Sequence, residues 1–530
     1  MEAESSHVRI AQESVRGSFI LFTGNFVQIL ASSVTIVIIA RALGPDLYGL
    51  YALSFVIPGL LQLFLGLGVN SAVTRYSAYY VSIGSPSEAK RFTRNGIAFI
   101  ILFGLVLTVV NYVAAGLLSS YVLRRPAMAQ FVQLSSIIIV SQAILQSAFS
   151  GLTGWNSMRL ASASNALQGV LRTSVSVGLV LLGFGVSGAI VGNVLSYLLA
   201  GLVFTLALYL TKLRGSRGTV SDFLRDVRVM ISYGVPAFAG AFVSGLAASY
   251  VTIILASIAS NAVVGFYQAA YSVTIPVALV SSSIVSSLLP AFASLDGEGG
   301  DTAAALNHAV KYVSYLVTPI VVFLISAAPA LFDLLYGQAY SSGVIYLQLM
   351  SMSNLPIALG VTVTPAFFNG FGKTRLTMIT YTTNAICLLI LAPLLGVVLG
   401  FGAAGLIYAV SLAAAATAIV ALLLANRIMG ASVEFGSLVR VLAASVVALL
   451  VAYPINFLAL PDIASLLIQL SLFAVSYLTV APFLRAVKPD DIARLETSTA
   501  RLGLLGRVIG LLFNYERYLM SSFNHKELSD

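Results

Sequence analysis

The sequence predicts an all-α integral membrane protein of about fourteen transmembrane helices, arranged as two six-helix lobes followed by two further helices. Three observations predict it: the composition, the length of the apolar runs and an internal repeat. Of 530 residues, 59% are hydrophobic and 9% charged, with a mean hydropathy of +0.97, against roughly 25% charged residues in a soluble globular chain. No soluble core hides that much apolar surface. Crossing about 30 Å of hydrocarbon takes about 20 apolar residues of helix, and stretches of that length recur between short polar breaks. A membrane β-barrel would instead show alternating segments of about ten residues. Runs such as 98–115 do not alternate.

Taken in order, spans are expected at 17–40, 47–72, 95–119, 130–150, 164–185, 187–211, 232–257, 262–290, 309–335, 343–369, 376–399, 403–426, 438–459 and 463–486. The tail at 1–16 has no short apolar core ending in small residues, so the first span is expected to be retained. Residues 17–211 form the expected N-lobe, 212–231 a basic linker, 232–426 the C-lobe and 438–486 the added pair. The segment 487–530 reads as an amphipathic tail. Pro489 suits a helix start, and the apolar run 502–513 is too short to span and suits the membrane interface.

The repeat fixes the two lobes. GLY at 49–51 returns as GFY at 265–267, GWNSMRL at 154–160 as GFGKTRL at 370–376, and FGVSGAI at 184–190 as FGAAGLI at 401–407, in nearly one register. Each pair occupies an equivalent place in successive sets of six spans. An even number of spans preserves direction through the membrane, so the halves are expected to be related by an axis along the bilayer normal.

Basic residues set the orientation. Of the 28 Lys and Arg, the side opposite the termini receives Arg41, Arg124 and Arg125, Arg172 falls inside the fifth span, and the rest lie on the side of the termini. Both termini are therefore expected to be cytoplasmic, in a cell membrane. The net charge of +9 then reports topology and attraction to anionic headgroups, not binding to nucleic acid.

RALGPDLYGLY at 41–51, the glycine-rich loops ending in Arg159 and Arg375, LLYGQAY at 334–340 and the FGxxGxI turns resemble the polysaccharide-flippase branch of the multidrug, oligosaccharidyl-lipid and polysaccharide exporter superfamily. The resemblance covers about residues 15–486. It implies a two-lobed transporter that moves a polyprenyl-phosphate- or diphosphate-linked saccharide from the cytoplasmic to the external leaflet by alternating access, in polysaccharide or glycoprotein glycan biosynthesis. It also implies a passage lined largely by the first two helices of each half, here the first, second, seventh and eighth spans. The expected partners are the lipid-linked saccharide, the bilayer and glycan-assembly enzymes, with the chain itself a monomer.

Such cargo presents phosphate and sugar. Phosphate needs cations, and the candidates are Arg172 in the fifth span, Arg41 at the outer end of the first and Arg75 at the inner end of the second, because guanidinium binds phosphate oxygens bidentately. Arg41 and Arg75 equally suit interfacial anchors that snorkel. Arg172 is set deeper, and a charge held there calls for a partner or a wet cavity. For sugars, the candidate helices offer Asn25, Gln28, Gln62, Asn70, Tyr250, Tyr267, Gln268 and Tyr271, each of which equally suits an interhelical hydrogen bond. Pro58, in mid-span, is expected to kink its helix.

Absences narrow the function. No Asp or Glu falls deep in an expected span, Asp333 coming closest. A cation-coupled drug antiporter of the same fold, the alternative, would be expected to keep an intramembrane acid. A polyprenyl-dependent glycosyltransferase, the third reading, would want acids for a metal or a base. The cluster DGEGGD at 296–301 lacks the spacing of a calcium loop and reads as a solvated connector. The single Cys387 and the scattered His7, His308 and His525 make no metal set. No phosphate-cradling GxxxxGK[ST] loop is present. A transporter without cofactor or metal is expected, not an enzyme.

Overall fold

The computed structural model describes residues 2–215, 220–298, 301–458, 460–487 and 515, which are helical and short-turned, with no strand among the described residues. The chain divides into two compact units, 1–269 and 270–530. The first holds α1 (Glu2–Ser54), α2 (Val56–Gln62), α3 (Val69–Ser82), α4 (Pro86–Tyr121), α5 (Ala129–Gly154), α6 (Met158–Leu171), the short α7 (Val177–Leu179), α8 (Gly185–Leu208), α9 (Val220–Ile258) and the first turns of α10 (Asn261–Glu298).

α1 is not one straight rod. Gly44 takes φ 73° and ψ 170° and is followed by Pro45, which breaks the helix where the first two spans were expected to separate. Pro58 has no N–H to give the carbonyl of Ser54, and α1 ends at that residue. The hydroxyl of Ser135 on α5 donates to the Ser54 oxygen instead, at 2.6 Å. This is the substitution by a neighbouring hydroxyl that lets proline persist in membrane helices. The second span also ends sooner than expected: Gly66, Leu67 and Gly68 all have positive φ, and α3 starts afresh at Val69.

α4 shows what kind of solvent the helices face. Its buried residues include Gly104, Thr108, Asn111, Ala115 and Ser119, whereas Leu102, Val106, Val109, Val113 and Leu117 are exposed. Small and polar residues pack inward and large apolar ones stand outward, the reverse of a water-soluble helix and the arrangement of a helix in lipid. Buried Asn111 donates to Ser136 on α5 at 2.8 Å.

The repeat recurs as backbone geometry. Trp155, Asn156 and Ser157 turn with φ −88°, 53° and −93°, and Phe371, Gly372 and Lys373 with −87°, 67° and −88°. Gly183 and Gly185 have φ 90° and 54°, and their repeat partners Gly400 and Gly402 have 72° and 58°. Glycine there serves a left-handed turn that other side chains resist.

The second unit continues α10 and adds α11 (Thr302–Tyr336), α12 (Val344–Ser353), α13 (Val363–Gly370), α14 (Thr374–Pro393), α15 (Gly402–Met429), α16 (Phe435–Ala452) and α17 (Asp462–Phe483). Asp301 caps α11 by accepting from the amides of Ala303 and Ala304. The added pair, α16 and α17, packs on α11 through Tyr315, Val322, Val441, Ala444, Phe473 and Tyr477, and the Tyr477 hydroxyl donates to the Tyr315 carbonyl at 2.9 Å.

Among the described residues, 11 helical stretches are long and apolar enough to cross a membrane, against about fourteen expected. The difference lies in continuity. Ile20–Gln62, with 43 residues, and Met158–Leu213, with 56, each run through two expected spans across a kink, and α9 contributes the shorter apolar stretch Gly245–Ile258. Linker residues 216–219, loop residues 299–300 and nearly all of the tail lie outside the described residues.

Candidate functional site

The first unit encloses a polar face in an otherwise apolar bundle, and helical spacing builds it. On α6 and the π-helical turn that follows (Arg172–Ser176), Asn165, Gln168 and Arg172 succeed one another at three and four residues, so they share one side of the helix. On α1, Asn25 and Gln28 do the same, and on α5 Gln142 and Gln146. Close packing of α1, α5, α6 and α8 brings the stripes together.

The amides then pair across helices. Asn165 donates to Asn25 Oδ1 at 2.7 Å, Gln28 to Gln168 Oε1 at 2.8 Å and Gln168 to Ser196 Oγ on α8 at 3.1 Å. The hydroxyls of Thr35 and Thr173 meet at 2.8 Å about two turns further along α1. Interhelical hydrogen bonds of this kind average about 0.6 kcal/mol each, so they specify the packing more than they stabilise it.

Arg172 stands at the end of the α6 stripe. Its guanidinium donates to the Tyr51 hydroxyl and lies beside Tyr48 and Tyr197, while its Nε is buried and without a partner. Tyr197 in turn is hydrogen-bonded to Gln142. None of the ion pairs among the described residues includes Arg172. A cavity of about 240 Å³ opens beside this network, lined by Gln28, Gln142, Leu145, Gln146, Phe149, Asn165 and Tyr197.

Other sequence candidates fall around α9, which packs on α2, α3 and α4. Asn70 accepts from Ser150 at 3.4 Å and donates to Gln146 at 3.5 Å, which joins it to the rim of the polar face. Arg75 is placed 4.5 Å over the ring of Tyr233 on α9, a cation–π contact. Arg41 is exposed near the break in α1, and Tyr250, Tyr267 and Gln268 are half-buried on α9 and α10. Tyr271, 56% exposed, belongs to the second unit. The structure thus gathers Asn25, Gln28 and Asn70 in separate hydrogen-bonded pairs around the cavity, with Arg172 reaching that face only through its neighbour Tyr197, and leaves Arg41, Arg75, Tyr250, Tyr267, Gln268 and Tyr271 away from it.

Sequence reasoning missed Gln142, Gln146, Asn165, Gln168, Tyr48, Tyr51 and Tyr197. The first four carried a usable signal, amides at helical spacing inside apolar spans. The tyrosines did not, because nothing local distinguishes them from packing residues. Among the described residues no group of His, Cys, Asp and Glu is placed to hold a metal.

A family model described as polysaccharide biosynthesis protein matches residues 14–296. Among solved structures, the chain is similar to the lipid II flippase MurJ in an inward closed conformation, at 16% identity and a TM-score of 0.69, covering 87% of this chain and 98% of that one. It is also similar to an inward-facing multidrug resistance MATE family transporter of the MOP superfamily, at 16% identity and 0.62, covering 76% and 96%. A MOP superfamily transporter from Pyrococcus furiosus matches at 18% and 0.53, covering 78% and 94%. No curated protein matches.

Proposed function

We infer, for a chain that belongs to the polysaccharide biosynthesis protein family within the MOP superfamily, that it is a flippase which carries a polyprenyl-phosphate- or diphosphate-linked saccharide from the cytoplasmic to the external leaflet by alternating access. It is a multi-pass membrane protein with the fold of MOP transporters. The distribution of basic residues supports cytoplasmic termini and residence in the cell membrane.

The observation that carries this function is the charge of the polar face. Arg172 brings a cation into a bundle of apolar helices beside the hydroxyls of Tyr48, Tyr51 and Tyr197, and the cavity that Tyr197 shares with four amides has no carboxylate in its lining. Amides and hydroxyls recognise sugar hydroxyls, and guanidinium recognises phosphate. A site that drew protons or sodium would call for an acid there.

The fold shared with a multidrug transporter supports cation-coupled drug export as the second reading. One preparation separates the two. In vesicles containing the purified chain, a fluorescent polyprenyl-linked saccharide should redistribute between leaflets, faster than in empty vesicles and without an ion gradient imposed to drive drug uptake. Gradient-driven drug uptake with no movement of the glycolipid would replace the first function with the second.

A further inference from the structure

We propose that the end of the first unit at which α8 runs out is a docking surface for an anionic phospholipid of the bilayer, whose headgroup sits on Lys90, Lys212 and Arg214 beside Trp155. Such a site goes beyond the transport function and takes from it only the orientation, which puts this end at the cytoplasmic leaflet.

Local structure brings the cations together. α8 continues through a π-helical turn (Tyr209–Leu213), a distortion frequent at functional sites, and this turn carries Lys212, with Arg214 two residues on. Lys90, in the second turn of α4, donates to the Arg214 carbonyl at 3.1 Å, which holds the chain leaving α8 against α4. Further along α4, Thr93 accepts from the indole Nε1 of Trp155 at 3.0 Å. The Lys212 ammonium stands 6.0 Å from the centre of the same ring, at the limit of cation–π reach. An indole fixed by its polar edge and packed on apolar neighbours suits the boundary between membrane and water.

The charge is not balanced within the protein. Carboxylates lie nearby in sequence, but they are engaged: Glu88 pairs with Arg91, Asp226 with Arg91 and Arg225, and Asp222 with Arg225. None of the ion pairs among the described residues includes Lys90, Lys212 or Arg214. Cations so placed attract the phosphate oxygens of an anionic lipid.

The surface leading to them separates this site from a bare basic loop. Leu199, Val203, Leu206 and Leu210 succeed one another at four, three and four residues along α8 and its π-helical turn, and all are exposed. An acyl chain laid along that stripe carries its headgroup to Lys212. The apolar and the charged parts of one phospholipid are thereby both matched.

Trp155 is the single tryptophan of the chain, so its fluorescence reads this place alone. The full chain is placed in phosphatidylcholine nanodiscs with a fixed minor fraction of lipid brominated on its acyl chains, either phosphatidylglycerol or phosphatidylcholine. Bromine quenches an indole on contact, so the anionic lipid should quench Trp155 well beyond the zwitterionic one. Lys90→Gln and Lys212→Gln should each need about fivefold more brominated phosphatidylglycerol for the same quenching, the effect of one charge at the membrane surface. Lys212→Arg should match the wild type. Arg440→Gln, at an exposed cation of the second unit, is the control and should leave the excess intact. Should Lys90→Gln fail to fold, the two Lys212 variants carry the comparison.

Equal quenching by the two headgroups, an excess that the lysine variants leave unchanged, or one that Arg440→Gln lowers as much would overturn the site. Loss of the excess on adding inorganic phosphate at constant ionic strength would overturn it too, since the occupant would then be a free anion. None of these outcomes depends on glycolipid movement, so the lipid site and the transport function stand or fall separately.

Discussion

Gly49 and Gly265, partners in the sequence repeat, cross each other backbone to backbone. A Cβ on Gly49 would collide with the carbonyl oxygen of Asn261, and a Cβ on Gly265 with the carbonyl oxygen of Pro45. Pro45 and Asn261 are themselves separated by the same repeat register as the glycines. The contact is therefore reciprocal, which is what two helix starts related by a two-fold axis produce. All four residues lie in the first unit.

The glycines are there because nothing larger fits, and their replacement is the first prediction. Gly49→Ala and Gly265→Ala should each lower stability by about 1–3 kcal/mol, the usual cost of forcing a methyl into a packed contact. Gly59→Ala is the control, since a Cβ there meets nothing within 4 Å. Thermal unfolding in detergent compares the three. Equal midpoints for all of them would mean that the crossing opens at little cost.

Arg125 fastens the same end of α9. Its Nε donates to the Ala256 carbonyl at 3.1 Å, and its terminal nitrogens donate to the Ala259 carbonyl and the Asn261 side chain. The Ala256 carbonyl is one of the orphan acceptors that the C-terminus of α9 exposes, and a cation is favoured there by the helix dipole. Arg125→Gln should remove about 1.5–3 kcal/mol of charge-assisted bonding. Hydrogen exchange at the amides of residues 256–261 should then speed up relative to the rest of α9, and unchanged exchange there would sink the assignment.

At the opposite end of α9, Asp226 is 1% exposed and receives Arg91 at 3.0 Å and Asn95 at 2.9 Å. Removing one member of a buried pair costs about 3–5 kcal/mol where it strands the other, but Arg91 is partly exposed and keeps Glu88 as a second partner. Asp226→Ala should therefore cost about 1–3 kcal/mol, the penalty for leaving the buried Asn95 amide without its acceptor. Asp226→Asn should cost less, because it keeps an acceptor for Asn95. The unfolding midpoints of the two variants rank them, and the reverse order would show that the ion pair matters less than the packing. Both ends of α9 are thus tied to α4 and to the turn that follows it.

Much of this was legible in the sequence, for identifiable reasons. Composition and run length are averages over many residues, so the helical membrane class survives local errors. The repeat glycines were visible because a backbone collision constrains the residue at one position, whatever its neighbours. The break at Gly66–Gly68 was hidden, since an apolar run reads the same whether or not the helix turns inside it. The grouping of Arg172 with Tyr51 and Tyr197 was hidden too, because it depends on which faces of α1, α6 and α8 meet. The amide stripe on α6 lay between these cases: its three-and-four spacing was present, but α6 is not among the helices to which the family resemblance assigns the passage.

Ser135 offers a final check on local satisfaction in the bundle. It donates to the Ser54 oxygen left unpaired by Pro58, at 2.6 Å, in a buried site. Ser135→Ala would leave that carbonyl without its hydroxyl partner, at a cost of about 1–3 kcal/mol. The double change Ser135→Ala with Pro58→Ala should recover most of the loss, because alanine at 58 restores an amide hydrogen to the carbonyl four residues earlier. A double-mutant cycle read by thermal unfolding measures the coupling. Additive losses in the double variant would mean that the hydroxyl serves another partner, such as the Val132 carbonyl it also reaches at 3.1 Å.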